Sequence, residues 1–208
     1  MAAPNNTLIL IGAGGHAVSC IDAIESQGIY KIQGLIGESG EVGAIRSGYS
    51  VLGCDADLAK FAGTVDYALV AIGLGPSPEK RKELCEYVSR LGFKFPVITP
   101  RTSYISPRAS IGVGTVIMHG VTINSAADIG SHCIINTNAL IEHEVTISNY
   151  SHISTGVIIN GGVRVGQDSF IGSGSVLKQG ISVGEKCFIG MGQRIVSDVP
   201  DHKRITAL

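Results

Sequence analysis

Two histidines stand nine residues apart in ALIEHEVTISNYSHIS, residues 139–154, and the first lies between acids in Glu142-His143-Glu144. An imidazole beside a carboxylate can serve as a general base, because the acid can orient the ring and hold its protonated form. Asn136, Ser151, His152, Ser154 and Thr155 crowd the same span. Two other readings compete: a metal site, or a pair of solvated corner residues. Zinc wants three or four ligands, yet no His-x4-His pair exists and His119, His132, His143 and His152 form no evident triad. No metal is expected.

A second chemical signal sits near the start, in TLILIGAGGHA, residues 7–17. A short apolar strand runs into Gly12-x-Gly14-x-x-Ala17, followed by the amphipathic stretch Val18–Gln27 and a stop at Gly28. This is the G-x-G-x-x-A form of the dinucleotide fingerprint, in the strand–turn–helix setting that gives it meaning. Its glycines let the backbone approach a phosphate or ribose, and the helix N-terminus adds partial positive charge. The bland alternative is a tight turn in any α/β domain, and His16 is either a ligand contact or only a helix-start residue.

The elements around the fingerprint follow from pattern. Strand two is expected over Lys31–Ile36, ending at Gly37-Glu38, where a ribose-binding acid can sit. Strand three is expected over Tyr67–Ile72, ending at Gly73, and strand four over Phe93–Ile98. Ser77-Pro78 reads as a cap and first turn for a helix that ends before Gly92. Residues 1–100 thus supply one mononucleotide-binding half, which disfavours an NAD dehydrogenase.

The histidines sit on a different scaffold. From Ile105 to Ile195, sixteen consecutive positions spaced by six are all Ile, Val or Leu. Such residues fill roughly a quarter of an ordinary chain, so chance does not produce the run. Four residues after each aliphatic stands a mostly small one, such as Ala109, Thr115, Cys133, Ser151, Ser169 or Ser175, with Ile181 and Gln193 as larger exceptions. A period of six matches neither 3.6 nor two, and marks a parallel β-helix over residues 101–208. Three hexads make one triangular coil, which sets residue i over i+18 at about 4.8 Å. The inward columns are Ile105/Ile123/Ile141/Ile159/Leu177/Ile195, Ile111/Ile129/Ile147/Val165/Val183 and Ile117/Ile135/Ile153/Ile171/Ile189. A β-sandwich would break this register, because its turns vary in length. In this frame His143 and His152 lie on different faces. The hand of the coil is not set by the pattern, since parallel crossovers are normally right-handed.

A formal charge of −1 gives no electrostatic reason to bind nucleic acid or an anionic membrane. The five cysteines are odd in number, hold no CxxC pair and suit a reducing compartment. Cys133 and Cys187 share a face but stand three coils apart, about 14 Å, so they read as inward packers. No cationic region precedes Leu8–Ile11, so no signal peptide is expected, and no apolar run of about 18 residues spans a bilayer. A cytoplasmic protein is expected.

GAGGHA at 12–17, NTNALIEHEVTISNYSHIS at 136–154 and the hexad array together resemble the NeuD/PglD-type bacterial sugar acetyltransferases. The resemblance implies a small Rossmann-like N-terminal domain that binds a nucleotide-sugar, then a left-handed parallel β-helix that assembles as a homotrimer and binds acetyl-CoA between subunits. By position it implies His143 as general base with Glu144 as its orienting acid. It puts His152, Ser173 and Met191 against acetyl-CoA, and Gly14, Gly15, His16, Gly37, Glu38, Gly73 and Asn136 against the nucleotide-sugar. The implied reaction is N-acetylation of a UDP-4-amino-4,6-dideoxy-N-acetylglucosamine-type sugar for bacterial surface glycans, without a metal. The alternatives are O-acetylation of a sialic-acid-type sugar and a non-catalytic trimeric scaffold that binds nucleotide-sugars. Two departures stand out: Gly37-Glu38 replaces the paired acids common after strand two, and the G-x-P-A-K ending is missing from SDVPDHKRITAL.

Overall fold

The computed structural model describes residues 6–73 and 78–206. The chain divides into two compact units, Met1–Pro96 and Val97–Leu208.

The first unit is a five-stranded sheet. β1 (Thr7–Ile11) is buried along its whole length, as a near-continuous apolar run in a parallel sheet demands. It lies between β2 (Lys31–Gly37) and β5 (Tyr67–Val70), in the order β3-β4-β2-β1-β5, with β3 (Ile45–Arg46) and β4 (Tyr49–Cys54) completing one edge. All neighbours are parallel except the β3–β4 hairpin. That hairpin turns through Ser47 and Gly48, both at positive φ (45° and 86°), the geometry of a tight two-residue turn. α1 (Gly15–Gln27) starts three residues before the expected stretch. It ends at Gly28, whose left-handed backbone (φ 71°) donates its N–H to the Ile24 carbonyl. α2 runs Pro78–Arg90, and the expected cap Ser77 lies outside the described residues.

The strand expected over Phe93–Ile98 does not form. Lys94 makes only an isolated bridge to Tyr67, and Ile98 pairs with Val116 instead. Pro96 stands between them and has no N–H to give a ladder. Ile98 is therefore the opening rung of the second unit.

That unit is a parallel β-helix with the expected register. Two-residue strands pair at a spacing of 18, as in Ile141↔Ile159, Ile147↔Val165 and Ile153↔Ile171. Three parallel sheets result, of six, six and five strands. Their inward Ile, Val and Leu fill the core. The corners are equally regular. Every sixth residue from Gly114 to Gly192 has a left-handed backbone, and His132, Asn138, Glu144 and Tyr150 occupy such corners without being glycine. A left-handed non-glycine costs about 1–2 kcal/mol, which the ladder on either side must offset. The final coil is two residues short: Val199 pairs with Val183 and Ile205 with Ile189.

Four of the small residues expected behind the aliphatics have a polar duty. Thr115, Ser151, Ser169 and Ser175 are fully buried. Each donates its hydroxyl to a carbonyl 15 residues on, and accepts the amide 18 residues on. Ser169 gives to the Gly184 carbonyl (2.8 Å) and takes from the Cys187 amide (2.9 Å). Ser169→Ala strands both groups, and equilibrium denaturation should show a loss of about 1–3 kcal/mol. An unchanged midpoint would mean the hydroxyl is dispensable.

Candidate active site

The fingerprint loop lies at the carboxyl ends of β1, β2 and β5, where open α/β sheets bind ligands. A cavity of about 860 Å³ opens there, lined by Gly12–His16, Ile36–Ser39, Glu41, Cys54–Ala56, Ala71–Gly73 and Lys80. Gly14, Gly15, His16, Gly37, Glu38 and Gly73, singled out from the sequence, all line it. Gly12 is obligatory: its φ is +120°, and a Cβ there would stand 2.9 Å from the Ala71 carbonyl oxygen. A Cβ at Gly14 or Gly15 would meet nothing within 4 Å beyond its own stretch of chain, so the loop leaves space there for a ligand. α1 opens at Gly15, and the first amides of a helix have no partner within it.

Several lining residues escaped sequence reading. Glu41 and Cys54–Ala56 come from segments that carry no hydrophobic period, and Lys80 from the first turn of α2. Arg46 on β3 holds this wall to the loop: its Nε donates to the Ala13 carbonyl (3.1 Å) and its guanidinium to Glu41 (3.0 Å). The other Glu41 oxygen accepts the Glu38 amide (3.0 Å), which, more than Arg46, holds that carboxyl below its ordinary range.

His16 is neutral at ordinary pH. Burial first, then the nearby Arg81 charge, lowers its pKa to about 4. Its Nε2 stands 3.5 Å from the Cys20 thiol, which burial pushes up to about 12 and so keeps protonated. In the unfolded chain His16 titrates near 6.5. Between pH 6.5 and 4 unfolding therefore takes up to one proton, and this contribution lowers stability as pH falls through that window. Thermal melts should show wild type losing more stability than His16→Gln between pH 7 and 5. Parallel losses would contradict a depressed His16.

In the β-helix, His143 and Glu144 form the corner between the strands Leu140–Ile141 and Thr146–Ile147. Adjacency becomes contact: His143 Nδ1 stands 3.5 Å from Glu144 Oε2, within ion-pair reach though long for a hydrogen bond. Glu144 owes its place to a left-handed backbone (φ 58°), fixed by its amide donating to the Ser125 carbonyl (3.1 Å). Both side chains are open to solvent, 54% and 72% exposed. The ring's Cε1–Nε2 edge faces Gly161 of the next coil.

His152 is no solvated corner. It lies on the strand His152–Ile153, only 7% exposed, its ring edge-on to Phe170 at 5.1 Å. Phe170 stacks on Phe188, and the Arg204 guanidinium sits 4.0 Å over that ring. Ser173 Oγ shares a 2.8 Å hydrogen bond with Ser154 Oγ, two residues from His152. Met191, one coil beyond Ser173, is 73% exposed. Asn136 lies in the β-helix and not in the cavity of the first unit; its Oδ1 accepts the Thr137 amide (2.8 Å). Among the described residues, no group of three or more His, Cys, Asp or Glu could hold a metal ion, and no helix is long and apolar enough to cross a membrane.

Residues 7–88 match the family model of the PglD N-terminal domain, and residues 162–195 that of the hexapeptide repeat of succinyl-transferase. The fold is similar to perosamine N-acetyltransferase from Caulobacter crescentus, solved with CoA and GDP-perosamine, with 27% identity and a TM-score of 0.90 over 97% of this chain and 93% of that one. The acetyltransferase domain of PglB from Neisseria gonorrhoeae FA1090, solved with acetyl coenzyme A, is 29% identical with a TM-score of 0.89, covering 98% and 97%. WeeI from Acinetobacter baumannii AYE shares the fold at 20% identity and a TM-score of 0.85, covering 97% of each chain. No curated protein sequence matches. Over nearly its whole length the chain is similar to sugar acetyltransferases of the NeuD/PglD type. Its architecture is that of the type, a small α/β domain followed by a left-handed parallel β-helix.

Proposed function

We propose that this NeuD/PglD-type enzyme transfers the acetyl group of acetyl-CoA to the free amine of a nucleotide-linked amino sugar, of the UDP-4-amino-4,6-dideoxy-N-acetylglucosamine class. The observation that carries the reading is the His143–Glu144 pair, an imidazole held at 3.5 Å by a carboxylate and open to solvent. With its Nδ1–H directed at Glu144, the ring keeps Nε2 as the acceptor. Nε2 takes a proton from the amine as its nitrogen forms a bond to the thioester carbon. The tetrahedral oxyanion needs a hydrogen-bond donor while it lasts. It collapses with loss of the C–S bond, and the coenzyme thiolate leaves and is protonated.

Acetyl-CoA is assigned to the β-helix surface that bears His152, Ser173 and Met191, between neighbouring subunits of a homotrimer. The exposure of Ser173 and Met191 on successive coils supports that surface. The nucleotide end of the acceptor is assigned to the glycine-loop cavity through Gly14, Gly15, His16, Gly37, Glu38 and Gly73, with Asn136 toward the sugar. The crystallised relatives hold CoA with GDP-perosamine in one case and acetyl coenzyme A in another.

Release of CoA thiol, followed across UDP- and GDP-linked amino sugars and sialic-acid-type acceptors, identifies the substrate. With the best acceptor, His143→Ala should lower kcat by at least about 10²-fold with KM little changed. Glu144→Gln should give a smaller loss. Full activity in His143→Ala would remove this assignment.

A further inference from the structure

We infer that Gly161 is a positioning residue, whose missing side chain forms the seat of the His143 ring. The inference rests on His143 being the base and adds a second residue to that assignment. Gly161 lies one coil above His143, 18 residues on. A Cβ built on it would fall 2.5 Å from His143 Cε1, 2.6 Å from Nε2 and 3.2 Å from Cδ2. The ring thus occupies space that any other residue would fill.

Two observations set aside the ordinary reasons for a glycine here. Gly161 is not among the residues with a left-handed backbone, whereas its neighbour Gly162 is, at φ +66°. The hexad pattern also does not ask for it. The third position of successive hexads, from Pro107 to Ser197, carries Val113, Ser125, Thr137, Thr155, Gln179 and other side chains, and glycine only at 161. The single vacancy in that series stands over His143, an imidazole with an acid on either side. Glu144 holds the Nδ1 side of the ring, and the Gly161 backbone bounds the Cε1–Nε2 side. Nε2, the atom that must face the amine, is thereby set by what position 161 lacks.

The adjacent glycines separate catalytic seating from backbone need. Alanine at 161 adopts its backbone without strain but meets the ring, and must push it about 1 Å to reach normal contact. Alanine at 162 meets no atom within 4 Å but is forced into a left-handed backbone. Gly161→Ala should therefore keep the wild-type melting temperature within a few degrees and keep KM for both substrates within about twofold. Its kcat should fall about 10- to 100-fold, the scale of loss that an ångström of misplacement produces. The NMR titration of the His143 ring should differ from wild type. Gly162→Ala should do the reverse, melting lower with kcat within about threefold and an unchanged His143 titration. Wild-type kcat in Gly161→Ala, alongside an inactive His143→Ala, overturns the role of Gly161 and leaves the base assignment standing. A Gly161→Ala protein that melts as low as Gly162→Ala overturns it too, because the glycine is then structural. An active His143→Ala overturns both assignments.

Discussion

The stacking of residue i on i+18 governs the β-helical half of this molecule. Each coil contributes only two-residue strands, too short to persist alone. Order comes from the coil above and below, through backbone ladders and one aliphatic per hexad packed on its own kind. A buried Ser or Thr hydroxyl in several hexads ties together a carbonyl and an amide that the corner would otherwise strand. A slip of one residue would turn every inward Ile outward. The register is therefore held by the whole column and cannot adjust at one place.

The proposed chemistry lies at the points where this regularity allows variation. Corners tolerate any side chain that the left-handed backbone can bear, and His143-Glu144 uses one of them. Outward strand positions are free as well, and there His152, Phe170, Phe188 and Arg204 form a stack along the axis. A rigid lattice with variable outer positions suits a reaction that depends on orientation, since fixing base, amine and thioester replaces an improbable collision with a near-intramolecular step. In the proposed reading the first unit solves a separate problem, that of holding an anionic nucleotide. It uses unencumbered backbone at Gly14 and Gly15 and a neutral His16, with Arg46 keeping the loop and the Glu38–Glu41 segment in fixed relation.

How much of this could be read from the sequence depended on how repetitive the physics was. The hexad period predicted the inward columns residue by residue, because each coil restates the same packing requirement. The glycine fingerprint pointed to the lining of the cavity for a similar reason, since a close backbone approach allows few residue types. Residues 39–60 were illegible: their hairpin is short, glycine-rich and half-exposed, so no period marks it. Phe93–Ile98 misled because an apolar run looks like a strand until Pro96 is weighed, and because Ile98 belongs to the column of Val116. The contact between Glu144 and His143 depends on a left-handed corner that glutamate seldom occupies, and no local pattern announces it. Gly161 was invisible as a special residue, since glycines abound in the chain and only stacking shows that this one faces the His143 ring.

The central claim is that His143 removes the proton from the attacking amine. A crystal structure of the full chain with CoA and its amino-sugar nucleotide tests it most directly. The account predicts the amine nitrogen within about 2.6–3.2 Å of His143 Nε2, with the coenzyme sulfur close by. An amine bound beside another side chain, with position 143 facing bulk water, would contradict it.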